Sequence, residues 1–116
     1  MVTSDDNQVL SNTITAPTSL FGGIFLAGNR NVIKGNTIDQ TGQFGISIIA
    51  GEIRGNALIT EGAIIKDNSI TNNNVGIAIG FGSPLNTVVI GNTIVANTNV
   101  TIRNNGTGTV EAGNIS

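Results

Sequence analysis

Aliphatic and polar positions recur along the chain in a short phrase centred on asparagine. The phrase is an aliphatic residue, two further residues, Asn, one small residue and a second aliphatic residue. The anchor asparagines are Asn12, Asn36, Asn68, Asn92 and, in a truncated copy, Asn114. They follow one another at intervals of 24, 32, 24 and 22 residues. An extra copy around Asn56 lies in the longest interval, which predicts an insertion of about ten residues at about 52–62.

A second phrase lies between the anchors and alternates apolar with other residues, as half-buried strands do. The positions expected to face inward are Ile24, Leu26, Ile46, Ile48, Ile77, Ile79, Val100 and Ile102. The positions expected to face outward are Phe25, Ser47, Ala78 and Thr101. Glycine precedes the first three of these strands, at Gly23, Gly45 and Gly76, and Asn99 precedes the fourth. We expect a bend with positive φ at these four positions, since Gly and Asn tolerate that conformation best.

Two short strands with bends in every 22 to 24 residues indicate a coil rather than a series of hairpins. Hairpins need tight turns, and the Asn-Gly turn signal occurs only at Asn105–Gly106. Helices are disfavoured because Gly, Asn, Thr and β-branched residues dominate every segment. Stacked coils would place the anchor asparagines in a ladder at a spacing of about 4.8 Å, where each amide bonds to the next. The sequence therefore predicts an all-β fold, a parallel β-helix of about five coils over residues 9–116, after a polar start or cap at 1–8.

These phrases resemble the parallel β-helix repeat of the pectin-lyase-like superfamily over about residues 7–116. The resemblance is carried by Val-Ile-Lys-Gly-Asn-Thr-Ile at 32–38, Ala-Ile-Ile-Lys-Asp-Asn-Ser-Ile at 63–70 and Asn-Val-Gly-Ile-Ala-Ile at 74–79. It implies a right-handed helix with parallel sheets, and it favours an extracellular or cell-surface location. Left-handed hexapeptide helices are the nearest alternative, but their six-residue step is absent. The repeat implies little about activity, because this fold hosts lyases, hydrolases, epimerases and non-enzymatic adhesins.

Composition narrows the chemistry that this chain can perform. Only 10% of residues are charged, the net charge is −2, and no basic stripe with interleaved aromatics indicates nucleic-acid binding. No apolar run is long enough to span a membrane, and the polar segment from Met1 to Gln8 does not read as a signal peptide. Cys, His, Trp and Tyr are all absent. Disulfides, the commonest general base and the commonest transition-metal ligands are therefore unavailable.

The acidic residues do not form an evident catalytic set. Polygalacturonase-like relatives use clustered Asp residues, pectate lyases use Ca²⁺-binding acids with an Arg, and alginate epimerase-like relatives need an acid with a His. The acids here are Asp5, Asp6, Asp39, Glu52, Glu61, Asp67 and Glu111. Only Asp5 and Asp6 are adjacent, and their position indicates a solvated start or a cap over a strand edge. We expect no catalytic residue, no metal site and no cofactor; Ca²⁺ bound through positions 5, 6 or 111 is the remaining metal alternative.

Three cations occupy equivalent positions. Lys34, Arg54 and Lys66 each lie two residues before a phrase asparagine, on the outward side of a strand. If Arg54 belongs to a full coil, the three stack in one column, whose mutual repulsion suggests an anionic partner such as an acidic polysaccharide. The alternative is that they keep the sheet soluble, since Leu10 and Ile90 occupy the same position in other coils.

The outward column Phe25, Ser47, Ala78 and Thr101 carries no charge and is a candidate contact face for another subunit or a sugar ring. Ordinary exposed apolar surface is the alternative. The insertion at about 52–62 would either emerge as a binding loop or form a strand that packs back on the coils. Neither end of the chain shows a capping helix, so we expect a homo-oligomer or a longer solenoid.

These observations favour a non-catalytic structural or binding module that presents a surface to a polysaccharide or a partner protein. The alternative is a polysaccharide lyase, a glycoside hydrolase or an epimerase, or a fragment of one.

Overall fold

The computed structural model describes residues 2–15, 22–53, 56–80 and 82–116; for 52–58 it describes the backbone only. The described residues form only short strands. In chain order they are β1 (Gln8–Leu10), β2 (Thr13–Thr15), β3 (Ile24–Leu26), β4 (Val32–Lys34), β5 (Thr37–Asp39), β6 (Phe44–Ile48), β7 (Gly51–Ile53), β8 (Asn56–Leu58), β9 (Ile64–Lys66), β10 (Ser69–Thr71), β11 (Val75–Ile79), β12 (Val88–Ile90), β13 (Thr93–Val95), β14 (Val100–Asn104) and β15 (Val110–Ala112). Strands of three to five residues suit a path that bends three times in each coil.

Three parallel sheets wrap around one core. The first sheet has the order β1-β4-β9-β12-β15, the second β13-β10-β5-β2 and the third β14-β11-β6-β3. The chain visits the first, second and third sheets in turn and then returns to the first, one coil further along. Four coils and the start of a fifth are built in this way, which confirms the predicted β-helix.

Aliphatic residues from equivalent coil positions stack inside. Ile33, Ile65 and Val89 are in register in the first sheet, and Ile38, Ile70 and Ile94 in the second. All six are buried, and burial of each such side chain stabilises the fold by about 1.5–3 kcal/mol. The expected inward positions Ile24, Leu26, Ile46, Ile48, Ile77 and Ile79 are buried too, whereas Val100 and Ile102 are half-buried.

The fourth strand of the third sheet corrects the predicted alignment. Ala78 of β11 pairs with Arg103, and Ile77 pairs with Ile102, so Thr101 lies two residues away from its expected position. The N–H groups of Asn99 and Val100 both donate to the Asn74 carbonyl, at 2.9 and 3.3 Å. Asn73 bonds to Asn97, 24 residues further on, whereas Val75 pairs with Val100, 25 residues further on, so one extra residue is accommodated here, as in a β-bulge.

The glycines that open the third-sheet strands do not bend the chain as expected. Gly23, Gly45 and Gly76 lack a positive φ, and so does Asn99. They are glycine because of close packing: a Cβ on Gly45 would lie 2.6 Å from the Gly76 carbonyl oxygen and against the Ile70 side chain. Glycine is therefore required at these positions because a side chain would not fit, and not because the backbone adopts a positive φ.

Positive φ occurs instead at the three corners of the coil, which are named here by their place. The ladder corner joins the first sheet to the second, the middle corner the second to the third, and the return corner the third to the first. The ladder-corner residues are Ser11, Gly35, Asp67, Gly91 and Gly113, with φ between 55° and 68°. The return-corner residues are Asp6, Arg30, Gly62, Asn86 and Gly108, with φ between 53° and 70°. The middle-corner residues are Gln40, Asn72 and Ala96. A left-handed residue at each of these corner positions helps to turn the strand into the next sheet.

The insertion is a β-hairpin. Strands β7 and β8 pair antiparallel, with Gly51 opposite Leu58, and their named strand partners are each other rather than the three sheets. The phrase around Asn56 therefore does not add a coil of its own, and β4 pairs directly with β9 across the longest interval.

The described residues contain no helix with the length and apolar character needed to cross a membrane.

Candidate functional site

The anchor asparagines form the ladder that the repeat predicts. The backbone N–H and the side-chain amide of each asparagine both donate to Oδ1 of the next one, at 2.8–3.1 Å, from Asn12 through Asn36, Asn68 and Asn92 to Asn114. The Asn36, Asn68 and Asn92 amides also donate to strand carbonyls of the first sheet. Because the three central members are buried, these bonds satisfy polar groups that water cannot reach.

Sequence reasoning missed two shorter ladders at the other corners. At the return corner the N–H of Asn7 donates to Asn31 Oδ1 at 2.8 Å. At the middle corner the N–H of Thr41 donates to Asn73 Oδ1, and that of Asn73 to Asn97 Oδ1, at 2.9 and 3.0 Å. The signal was present in the sequence, since Asn7 and Asn31 stand five residues before an anchor (12 − 7 and 36 − 31) and Asn73 and Asn97 five residues after one (73 − 68 and 97 − 92).

Two acids close to the N-terminus bond to the neighbouring coil. Asp5 accepts the Asn29 N–H at 2.7 Å. Asp6 forms a bidentate salt bridge with the Arg30 guanidinium, and each of its two hydrogen bonds is 2.7 Å long. The hydrogen bond from Arg30 lowers the pKa of the Asp6 carboxyl below its ordinary value. Both side chains of the ion pair are more than half exposed, so the pair adds little stability.

Two further acids also link coils. Asp39 accepts hydrogen bonds from the Thr71 hydroxyl and the Asn72 amide, both at 2.7 Å, and these bonds lower the pKa of its carboxyl. Glu61 accepts from the Asn86 amide at 3.0 Å. A general acid needs a raised pKa, so the resolved shifts are opposite to that requirement. Over the described ranges no group of three or more acids is placed to hold a metal ion.

The lysine column contains two members. Lys34 and Lys66 are register neighbours on β4 and β9, and both are exposed. Leu10 precedes them in the column and Ile90 follows. Arg54, the third cation of the predicted column, lies outside the described residues, and β4 pairs directly with β9, so Lys34 and Lys66 are immediate neighbours. Their strands are about 4.8 Å apart, close enough for one ligand to touch both ammonium groups.

A second outward column on the first sheet was missed. Val32, Ile64, Val88 and Val110 are in register, with Gln8 before them. Ile64 is 37% exposed and Val110 53%. The first two residues of each first-sheet strand from β4 to β12, one outward and one inward, are both aliphatic, which was the available signal. We call the outward residues of β1, β4, β9, β12 and β15 the aliphatic–lysine face; they are Gln8, Leu10, Val32, Lys34, Ile64, Lys66, Val88, Ile90, Val110 and Ala112.

The candidate contact face on the third sheet is not an open surface. Phe25, Ser47 and Ala78 are in register, but Ser47 and Ala78 are each only 4% exposed and Phe25 is half-buried. Arg103 takes the position expected for Thr101, which places a charge in the column. The column is therefore neither open at its centre nor uncharged at its end, because Ser47 and Ala78 are buried and Arg103 aligns with Ala78.

A concave site lies at the return corner, beside the hairpin. Its cavity of about 510 Å³ is lined by Asn29, Arg30, Ile59, Glu61, Gly62 and Asn86. Three of these six, Ile59, Glu61 and Gly62, lie within the segment 52–62 that the sequence marked as an insertion. We call this site the corner notch.

The comparison with protein families matches residues 1–115 to the model described as a right-handed β-helix region. Comparisons with curated proteins and with solved structures give no match.

Proposed function

We propose, from the premise that the chain belongs to the right-handed β-helix family, that it is a non-catalytic module that binds an acidic polysaccharide on the aliphatic–lysine face. The observation that carries this proposal is the register pairing of Lys34 with Lys66 on an otherwise uncharged sheet face. The premise itself does not decide between enzymes and binding proteins, since function resides in sites rather than folds.

The charge pattern of the face supports an anionic ligand. The outward positions of the five strands carry two lysines and no acid. Two exposed ammonium groups at one strand spacing repel by about 1 kcal/mol in water, and an anion between them relieves that repulsion. A polymer with a carboxylate on each sugar supplies such anions along its length.

The aliphatic residues supply the rest of the surface. Val32, Ile64 and Val88 form a flat strip beside the lysine column, and Leu10 and Ile90 extend the column at its two ends. The less polar faces of sugar rings can lie on such a strip while their carboxylates reach the lysines. A flat sheet with stacked, rigid β-branched side chains loses little side-chain entropy on binding.

The use of the acids supports a non-catalytic role. Asp5, Asp6, Asp39 and Glu61 accept hydrogen bonds from a neighbouring coil. Glycoside hydrolysis needs two carboxyl groups facing one substrate, with one of them protonated. Carboxylates that are engaged in holding coils together are poorly suited to that work.

Affinity electrophoresis of the full chain in gels containing polygalacturonate tests the proposal. We expect retardation that weakens with added salt, because surface charge interactions are screened. Lys34→Ala combined with Lys66→Ala should abolish the retardation. Lys66→Ala alone is matched by Arg103→Ala, which makes the same change in net charge on a different sheet and should keep the retardation.

Equal loss from Arg103→Ala and Lys66→Ala would show a response to net charge alone and would contradict the assigned face. Equal retardation in neutral dextran would contradict an anionic ligand. Release of unsaturated, ultraviolet-absorbing product from pectate or alginate would contradict the non-catalytic role and support the lyase alternative.

Self-association belongs to the same proposal, since a second copy could cover the aliphatic strip. Sedimentation of the parent chain and of Ile64→Ser tests it. We expect a dimer or higher species in the parent and a shift to the monomer in the variant. A monomer at all concentrations would remove this part of the proposal and leave polysaccharide binding standing.

A further inference from the structure

The corner notch lies where Gly62 interrupts the side chains of the return corner. The return-corner residues with positive φ stack in the order Asp6, Arg30, Gly62, Asn86 and Gly108. Gly62 stands between two long side chains and has none of its own. A Cβ built on Gly62 would have Arg30 Cγ as its nearest neighbour, at 3.9 Å. The gap is therefore one side chain wide and open to solvent.

The groups around the gap include both donors and acceptors. Arg30 uses Nε and Nη2 on Asp6, which leaves further N–H groups of the guanidinium available. Glu61 uses Oε1 on Asn86, and its other oxygen has no hydrogen-bond partner within the described ranges. Asn29 Oδ1 is buried without a hydrogen-bond partner, although a buried amide oxygen normally has one.

The ion pair fixes this arrangement in place. Asp6 holds the guanidinium by two bonds, and Asn86 holds the Glu61 carboxylate by one. Both contacts connect neighbouring coils, so the walls of the notch are positioned by the stack itself. A ligand would therefore meet groups that are already oriented, which lowers the entropy lost on binding.

Charge and apolar surface narrow the class of ligand. Arg30 and Glu61 are the two charged lining residues, and Asp6 also neutralises the guanidinium, so the notch has no positive charge in excess to attract an anion. One unengaged carboxylate oxygen is far short of the six to eight oxygens that Ca²⁺ takes. Ile59 is 67% exposed and forms an aliphatic wall beside the polar groups. A neutral, polyhydroxylated ring suits hydrogen bonds of both senses on one side and an aliphatic wall on the other.

We propose that the corner notch binds a neutral sugar residue, with Arg30 donating to and Glu61 accepting from its hydroxyl groups, and with Ile59 against the ring. A volume of about 510 Å³ accommodates one or two sugar units. This site is separate from the aliphatic–lysine face and differs from it in the charge of its ligand.

The test is saturation-transfer NMR and calorimetry on the full chain with glucose, galactose, mannose, xylose and their β-linked disaccharides. The decisive variant is Gly62→Asn, which fills the gap with a residue that tolerates positive φ. Its matched control is Gly35→Asn, at φ +68° on the ladder corner, where a Cβ has no neighbour closer than 3.6 Å. We expect Gly62→Asn to weaken sugar binding at least tenfold and Gly35→Asn to leave it unchanged.

Two further variants keep the test decisive if Gly62→Asn is unstable. Ile59→Ser, at an exposed position, should weaken binding about threefold to tenfold while the melting temperature stays constant. Glu61→Gln should retain most of the affinity for a neutral sugar, whereas a cation would lose its affinity.

Absence of binding to every sugar in the panel, or equal losses from Gly62→Asn and Gly35→Asn, would overturn the proposal. Retardation by polygalacturonate should persist in Gly62→Asn. Failure of the notch and failure of the lysine face are therefore measured independently.

Discussion

The ladder corner and the return corner both turn the chain at a residue with positive φ, but different side chains follow that residue. At the ladder corner an asparagine follows the positive-φ residue in every coil, and amide bonds run without interruption from Asn12 to Asn114. At the return corner asparagine follows it only twice, at Asn7 and Asn31. The later coils have Ala63, Thr87 and Thr109 there instead.

The two corners differ in the polar groups that they leave available to a ligand. At the ladder corner each asparagine side chain is hydrogen-bonded to the next along the whole stack, so few hydrogen-bonding groups remain for a ligand. In the return corner the amide series stops, a hairpin is inserted just before it, and Gly62 opens the notch. Repetition in this fold goes with stability, and the place where repetition fails holds a cavity lined by mixed polar groups.

The largest expected effect comes from breaking the ladder at its centre. Asn68→Ala removes the acceptor of the Asn36 N–H and the donor to the Ile33 carbonyl, both in buried surroundings. Unsatisfied buried groups cost about 1–3 kcal/mol each, so we expect a loss of about 2–5 kcal/mol in unfolding free energy, measured by urea denaturation.

The control for this change is Asn12→Ala, at the exposed end of the same ladder. We expect a loss of about 1 kcal/mol or less there, because water can replace the missing bonds. Similar losses at Asn12 and Asn68 would contradict the view that burial of the amide series gives the ladder its value.

A second comparison sets a repeated glycine against an unrepeated one. Gly76→Ala would place a Cβ 2.6 Å from the Thr101 carbonyl oxygen and against the Ile94 side chain, whereas a Cβ on Gly80 has nothing within 4 Å. We expect Gly76→Ala to lose about 1–3 kcal/mol and Gly80→Ala to stay within about 0.5 kcal/mol of the parent. Thermal unfolding by circular dichroism measures both, and a tolerated Gly76→Ala would refute the packing explanation.

A third prediction addresses the return corner directly. Thr87 is fully buried and its Oγ1 has no hydrogen-bond partner, so the corner there holds a polar group without compensation. Thr87→Val removes that hydroxyl at nearly constant volume. We expect unchanged stability or a gain of up to about 1 kcal/mol in urea denaturation. A clear loss would mean that the hydroxyl is bonded in solution, and that this corner is better satisfied than its side chains indicate.

The smallest expected effect is a dependence on acid. Hydrogen bonds from Thr71 and Asn72 lower the folded-state pKa of Asp39, so its contribution is present above the unfolded pKa and is lost as pH falls through the folded one. Between about pH 6 and about pH 3 the melting temperature of the parent should fall further than that of Asp39→Asn. Thr71→Val should act in the same direction, since it removes a donor to the carboxylate. Equal pH profiles for parent and Asp39→Asn would exclude a role for this carboxyl.

The fold could be predicted because the repeat and the structure have the same period. A residue type that recurs at the coil interval is placed beside itself in the next coil, so the spacing of Asn36 and Asn68 in the sequence is enough to define the ladder. The register of β14 could not be obtained in the same way. A shift of two residues leaves an alternating pattern unchanged, so Thr101 and Arg103 are equivalent by pattern, and only the strand pairing of Ala78 with Arg103 separates them.

The candidate sites were harder to predict, because exposure is not periodic. Ser47 and Ala78 point away from the core yet are buried, which no alternation rule can indicate. The corner notch depends on Gly62, an absent side chain between two present ones, and on an exposed Ile59 beside it. Neither residue stands out in the sequence, because the contacts that form the notch join residues 24 to 32 positions apart in the chain.

The hairpin has a consequence for altering this molecule. Its presence lengthens one coil from 24 residues to 32, yet Ile38 still pairs with Ile70 and Lys34 with Lys66. Extra chain at this point is thus absorbed without cost to the alignment of the layers above and below. The hairpin is therefore a suitable insertion point for foreign peptides. The β-helix would serve as a rigid scaffold that displays the inserted peptide, and the peptide could be exchanged without changing the stacked coils.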